Sequence, residues 1–167
     1  MKFLRSIFMA IALVVLLCGM SAASDDFMAQ GSAITTGILA RFQTTDVVKY
    51  GIFVTNITDG EVNCKVTYYD HDGKNISAYS TVLTGNSGSS PITVGPGSSS
   101  FKLPAHATRY VYLSDSVNVF VYGSAIIEWN STDKRLRKAL IAKQHLYKKD
   151  GNRLGLSQTS INGDQPF

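Results

Sequence analysis

The chain has 167 residues, 44% hydrophobic and 17% charged, with a formal net charge of +4 at pH 7. That length supports one domain with a real core. Lys2 and Arg5 belong to the leading segment, so charge beyond it is nearly balanced and no global field argues for nucleic acid.

The chain opens MKFLRSIFMAIALVVLLCGMSAASDDF. Two basic residues, an apolar run from Ile7 to Met20 and small residues before Asp25 form the layout of a secretory signal peptide, residues 1–23. The apolar run is shorter than the ~20 residues of a spanning helix, so no membrane insertion is expected once the leader is cleaved. Leu17 stands before Cys18 where a lipoprotein signal carries a small residue, which argues against lipidation. The exported domain, 24–167, would then hold Cys64 alone and form no intramolecular disulfide. Secretion, the periplasm or the cell surface is the expected location.

From there the pattern is β throughout. GSAITTGILARF predicts a first strand, and VVKYGIFVTN a second with Tyr50, Ile52 and Val54 on one side. TDG at Thr58–Gly60 predicts a hairpin turn into EVNCKVTYY. In that strand Val62, Cys64, Val66 and Tyr68 alternate with Glu61, Asn63, Lys65 and Thr67, as in an antiparallel strand with one wet face. Cys64 lies on the apolar side and reads as an inert core thiol.

YYDHDGKN follows. Aligning Gly73 with the glycine of an EF-hand-type loop puts Asp70 and Asp72 at ligand positions, but Tyr68 and Tyr79 at the first and last, where carboxylates are needed. The stretch therefore reads as a turn, and no metal or other cofactor is expected. Thr84–Ser100, rich in Gly, Ser and Pro, predicts a flexible loop that could also grip a ligand. SFKL, TRYVYL, VNVFVYGSAIIEW, RKALIAKQHLY and NRLGLSQ complete the strands, with KKDG at Lys148–Gly151 as a second hairpin turn. Trp129 shares a strand face with Ala125 and Ile127 and is expected in the core.

Seven or eight short strands at this spacing predict an all-β fold, a single antiparallel β-sandwich. VTNITDGEVNCKVTYYDHDGK followed by FKLPAHATRYVYL resembles immunoglobulin-like β-sandwich modules of secreted bacterial proteins. The resemblance covers about half of the exported part and implies fold, not function, so no functional residues are carried over.

Chemistry-bearing patterns are sparse. His71, His106 and His145 are isolated and read as surface or loop residues, without a second ligand at zinc spacing. Ser87 in GNSGS lacks the setting of a nucleophile elbow. Glu128 and Asp133 could pair as a glycosidase requires, but Glu128 reads as a solvent-facing strand residue, and a secreted hydrolase ranks last. Sequons at Asn56, Asn75 and Asn130 are candidates for N-glycosylation near turns. An outer-membrane barrel is disfavoured because Gly163 and Pro166 break the alternation of the final segment.

The informative asymmetry is basic. Lys134, Arg135, Arg137, Lys138, Lys143, Lys148, Lys149 and Arg153 cluster in the last third. Alternation turns Leu140, Ala142 and Leu146 inward, and Arg137, Lys143 and Tyr147 outward; Tyr110 and Tyr112 likewise oppose Val111 and Leu113. If these faces adjoin, Tyr110, Tyr112, Arg137, Lys143, Tyr147, Lys149 and Arg153 form a surface of aromatic platforms and positive charge. The sequence thus leads to a non-enzymatic structural or adhesive β-sandwich of the cell surface, periplasm or matrix, pairing with itself as a homo-oligomer or filament. The alternative is a carbohydrate-binding module for anionic polysaccharide.

Overall fold

The computed structural model describes residues 27–42, 46–113 and 120–167. The expected signal peptide, 1–23, lies outside these residues, as does the start of VNVFVYGSAIIEW. Among the described residues the chain forms ten strands: β1 (Gly31–Phe42), β2 (Asp46–Asn56), β3 (Val62–Tyr69), β4 (Ser80–Thr84), β5 (Ile92–Pro96), β6 (Phe101–Leu103), β7 (Thr108–Leu113), β8 (Val121–Asn130), β9 (Leu140–Asp150) and β10 (Arg153–Ser160). Their pairings are all antiparallel.

The all-β sheet wraps round one core and is nearly closed, like a barrel. One wall runs β1-β8-β3-β6 and the other β5-β4-β7-β2-β9-β10. β2 joins them: β9 pairs along one edge, while the other edge takes the end of β1 at Val47–Val48 and β7 at Gly51–Thr55. β1 can serve both walls because its ladder with β8 shifts register between Thr36 and Ile38. Gly37 sits there at φ 73°, a left-handed conformation that glycine adopts without steric cost, and such a bulge bends and twists the strand.

Period-two patterning fills the space between the walls. Ile38, Ala40, Val62, Cys64, Val66, Tyr68, Val121, Ala125, Ile127 and Trp129 meet Tyr50, Ile52, Val54, Val82, Val111, Leu113, Leu140 and Ala142, all buried. Two buried hydroxyls find partners: Tyr68 reaches across the core to donate to the Val111 carbonyl at 2.8 Å, and Tyr50 donates to Gln144 Oε1 at 2.7 Å. Burial raises the Tyr50 pKa to about 12. It pushes the Cys64 thiol up as well, which keeps it protonated and inert.

Several expectations change. β2 and β3 are not a hairpin, because β2 pairs β7, β9 and β1 while β3 pairs β8 and β6. The turn instead carries the chain from one wall to the other, held by Asn56. Its buried amide nitrogen donates to the carbonyls of Gly60 (2.7 Å), Leu103 (3.0 Å) and Pro104 (3.0 Å), and its oxygen accepts from the Thr58 backbone and hydroxyl. The nitrogen that a glycan would occupy at the Asn56 sequon is thus the atom bonded to these three carbonyls. Asn75 is exposed and Asn130 half-buried. The 84–100 segment is not one loop: Ile92–Pro96 forms β5 and pairs β4, leaving a shorter connection at residues 85–91. The turn reading of Asp70–Lys74 agrees with the structure. The Asp70 carboxylate accepts from the backbone N–H groups of Asp72 and Lys74, which lowers its pKa, and Gly73 takes φ 76°. The KKDG turn likewise joins β9 to β10, with Asp150 opposite Arg153.

Trp129 is fully buried, and Gly31 leaves room for its indole. Trp129→Ala is expected to destabilise the protein by about 3–5 kcal/mol, read by urea unfolding, and the native emission should be blue-shifted. Asn56→Ala should cost about 1–3 kcal/mol by stranding buried carbonyls; an unchanged urea midpoint would mean that the turn is held by something else.

Candidate functional site

The larger wall has an outer face, and β2 runs through its middle. Alternation that sends Tyr50, Ile52 and Val54 inward turns Val47, Lys49, Gly51 and Phe53 outward. Register then sets the neighbours. Gly51 lies between Tyr112 on β7 and His145 on β9, Phe53 between Tyr110 and Lys143, and Lys49 beside Tyr147. Two strands far apart in sequence therefore present their outward tyrosines to one surface.

Gly51 is decisive locally. A Cβ there would overlap the outer atoms of the Tyr110 ring. The ring uses that space to reach from β7 across β2, where its hydroxyl lies 3.1 Å from His145 Nδ1. Tyr110 stacks on Phe53 at 4.4 Å between centroids, lies parallel to Tyr112 at 5.9 Å, and meets the His145 ring at 5.7 Å. Burial, aided by the neighbouring tyrosines, raises the Tyr110 pKa to about 12, so it stays neutral. Burial lowers the His145 pKa, which favours the uncharged imidazole.

Beside this cluster is a depression of about 530 Å³, lined by Val47, Lys49, Leu83, Tyr110, Tyr112, His145, Tyr147 and Lys149. It falls within the ~300–1,000 Å³ typical of ligand sites. Its charged lining residues are both lysines. Aromatic faces, two ammonium groups and no lining carboxylate can stack against a flat ligand while attracting its negative charge.

Of the residues expected at a site, Tyr110, Tyr112, Tyr147 and Lys149 come together here. Lys143 lies on the same face of β9, directly opposite Phe53, and lines a separate depression with Phe53, Thr55, Ile141 and Gln158. Arg137 does not join them. β9 begins at Leu140, whose N–H donates to the Phe167 carbonyl, and Arg137 lies exposed in the preceding connection. Arg153 pairs opposite Asp150, which puts it on the face of β10 opposite Lys149. His145, read as an isolated surface or loop residue, is on the outer surface but not isolated: it is mid-strand and bonded to Tyr110. His71 and His106 are exposed beside Asp72 and Asp59. Reasoning from sequence missed Lys49, Gly51, Phe53 and Leu83. His145 could have been found, since it alternates in phase with Lys143 and Tyr147.

The His145 imidazole should titrate below its ordinary value of 6.5. Its proton is taken up more readily by the unfolded chain, so this group's contribution to stability is present above 6.5 and lost as pH falls. In Gly51→Ala the displaced Tyr110 ring should uncover His145 and move its NMR midpoint back up toward 6.5. Equal midpoints in both proteins would contradict the coupling.

No family model and no curated protein matches the chain. Among solved structures, the crystal structure of Thermotoga maritima 1070 aligns with 81% of this chain and 96% of its own, at 11% sequence identity and a TM-score of 0.49.

Proposed function

We propose that this chain is an exported, non-enzymatic module that binds anionic polysaccharide on the outer face of its larger wall. The observation that carries the reading is the convergence of Tyr110, Tyr112 and Tyr147 with Lys49 and Lys149 on one depression. Sugar rings stack on aromatic faces through their apolar C–H surfaces, and ammonium groups attract carboxylate or sulfate without demanding one fixed geometry. Lysines supply the cations here, whereas arginine's planar fork is the usual choice for bidentate phosphate recognition. Binding, not catalysis, is favoured because the lining residues offer no carboxylate to work as acid or base, and His145 is engaged by Tyr110.

The finer fold reading is an immunoglobulin-like sandwich with its outer strands exchanged. The neighbours β4-β7-β2 and β3-β8 correspond to D-E-B and C-F of that scheme. β1 then lies against β8, where a last strand is usual, and β9 lies against β2, where a first strand is usual. Export through the leader at 1–23 would deliver the module to the periplasm, cell surface or matrix.

A structural or adhesive role by self-association is the second reading, and β10 favours it. Leu154 and Leu156 on this outermost strand are 67% and 70% exposed, and unpaired strand edges invite pairing with another chain. Size-exclusion chromatography with light scattering separates the readings: a monomer at micromolar concentration supports the binding module, and ligand-free oligomers support assembly.

At low salt the protein should be retained on immobilised polygalacturonate and released as salt rises, since exposed charges are screened beyond a Debye length of about 8 Å at physiological ionic strength. Tyr112→Ala and Lys149→Ser should each weaken retention, whereas Arg137→Ser, outside the depression, should leave it unchanged. Failure of the wild-type protein to bind any acidic polysaccharide would remove this reading.

A further inference from the structure

The depression is not alone on its face. A second, of about 350 Å³, shares Leu83 and Tyr110 with it and adds Phe53, Thr84, Gly85, Pro91, Thr108 and Arg109. A third, of about 240 Å³, shares Phe53 with the second and contains Lys143. The stacked Phe53 and Tyr110 rings form the ridge between them. Each depression has a cation: Lys49 and Lys149 in the first, Arg109 in the second and Lys143 in the third. The Arg109 guanidinium is anchored by Thr84 Oγ1 at 3.1 Å and the Thr108 carbonyl at 3.0 Å. Along β9, Lys143 and Lys149 occupy the same face six residues apart, about 20 Å at a rise of ~3.4 Å per residue.

Resting on the polysaccharide reading above, we infer that this face is a track that grips successive units of a linear polyanion, with Lys143 as its distal contact. A single charged sugar would fill one depression and leave the remaining cations unused. A chain lying across the ridge meets all three, and each added contact is intramolecular once the first is made. The nearest opposing charge is Asp164, whose carboxylate lies 3.8 Å from the Lys143 ammonium with both side chains about half exposed. At that distance and exposure the pair is weak, so a ligand carboxylate can compete for Lys143.

The test is calorimetric titration of the full chain with galacturonate di-, tetra- and octasaccharides. The octasaccharide should bind at least about tenfold more tightly than the disaccharide, a difference of about 1.4 kcal/mol. Lys143→Ser should collapse that ratio. Asp164→Asn should raise it, because the pairing charge is removed and asparagine tolerates the left-handed backbone found there, φ 60°. A ratio near unity, or one unaffected by Lys143→Ser, overturns the track and leaves the single-site polysaccharide reading standing. No binding at any length overturns both. Tighter binding of a single-stranded oligodeoxynucleotide of equal charge overturns the polysaccharide assignment in favour of nucleic acid.

Discussion

At Gly51 the middle of β2 carries no side chain, and the Tyr110 ring fills the space a Cβ would take. Aromatic side chains on a sheet normally stand up from their own strand and meet only the next one. Here the ring crosses a whole strand and joins β7 to β9 through the His145 contact. Phe53 then finds a stacking partner, Tyr112 a parallel neighbour, and the floor between Tyr147, Lys49 and Leu83 stays low. A larger residue at 51 would raise that floor and scatter the rings.

The wall that bears this surface owes its width to two backbone devices. Gly37 lets β1 bend from β8 toward β2, so both walls hang on continuous chain. Asn56 then pins the crossing from β2 to β3 against the connection between β6 and β7. With the crossing pinned, β2 keeps both its edges for β7 and β9, and the outer face reaches from β4 to β10. The core beneath is almost wholly apolar, and the Tyr50 and Tyr68 hydroxyls within it are paired. The aromatic surface above can therefore be altered with little effect on the packing under it.

Strands were legible because alternation and turn residues are local. GSAITTGILARF corresponds residue for residue to β1, and TRYVYL to β7. Partners were not legible, because they depend on contacts between residues far apart in the chain. TDG after Asn56 has the composition of a hairpin turn, and only the burial of Asn56 against the connection between β6 and β7 shows that the chain changes wall there. β5 was hidden because its alternation is short and flanked by Gly, Ser and Pro. Half the candidate site was legible: alternation turned Tyr110, Tyr112 and Tyr147 outward, and the basic cluster in the last third named Lys149. Their meeting required β2 between β7 and β9, and the meaning of Gly51 required Tyr110 above it. Arg137 was misplaced because an alternating pattern can be extended past the point where a strand starts, here Leu140.

The proposed ligand face is the outer surface of the larger wall, while the opposite wall exposes Ile34 and Tyr122 at 66% and 63%. Backbone amide NMR during titration with an acidic oligosaccharide compares the two directly. Shifts concentrated at Lys49, Gly51, Tyr110, Tyr112, His145, Tyr147 and Lys149 are the predicted result. Shifts centred on β1 and β8 around Ile34 and Tyr122, or none at saturating ligand, would contradict it.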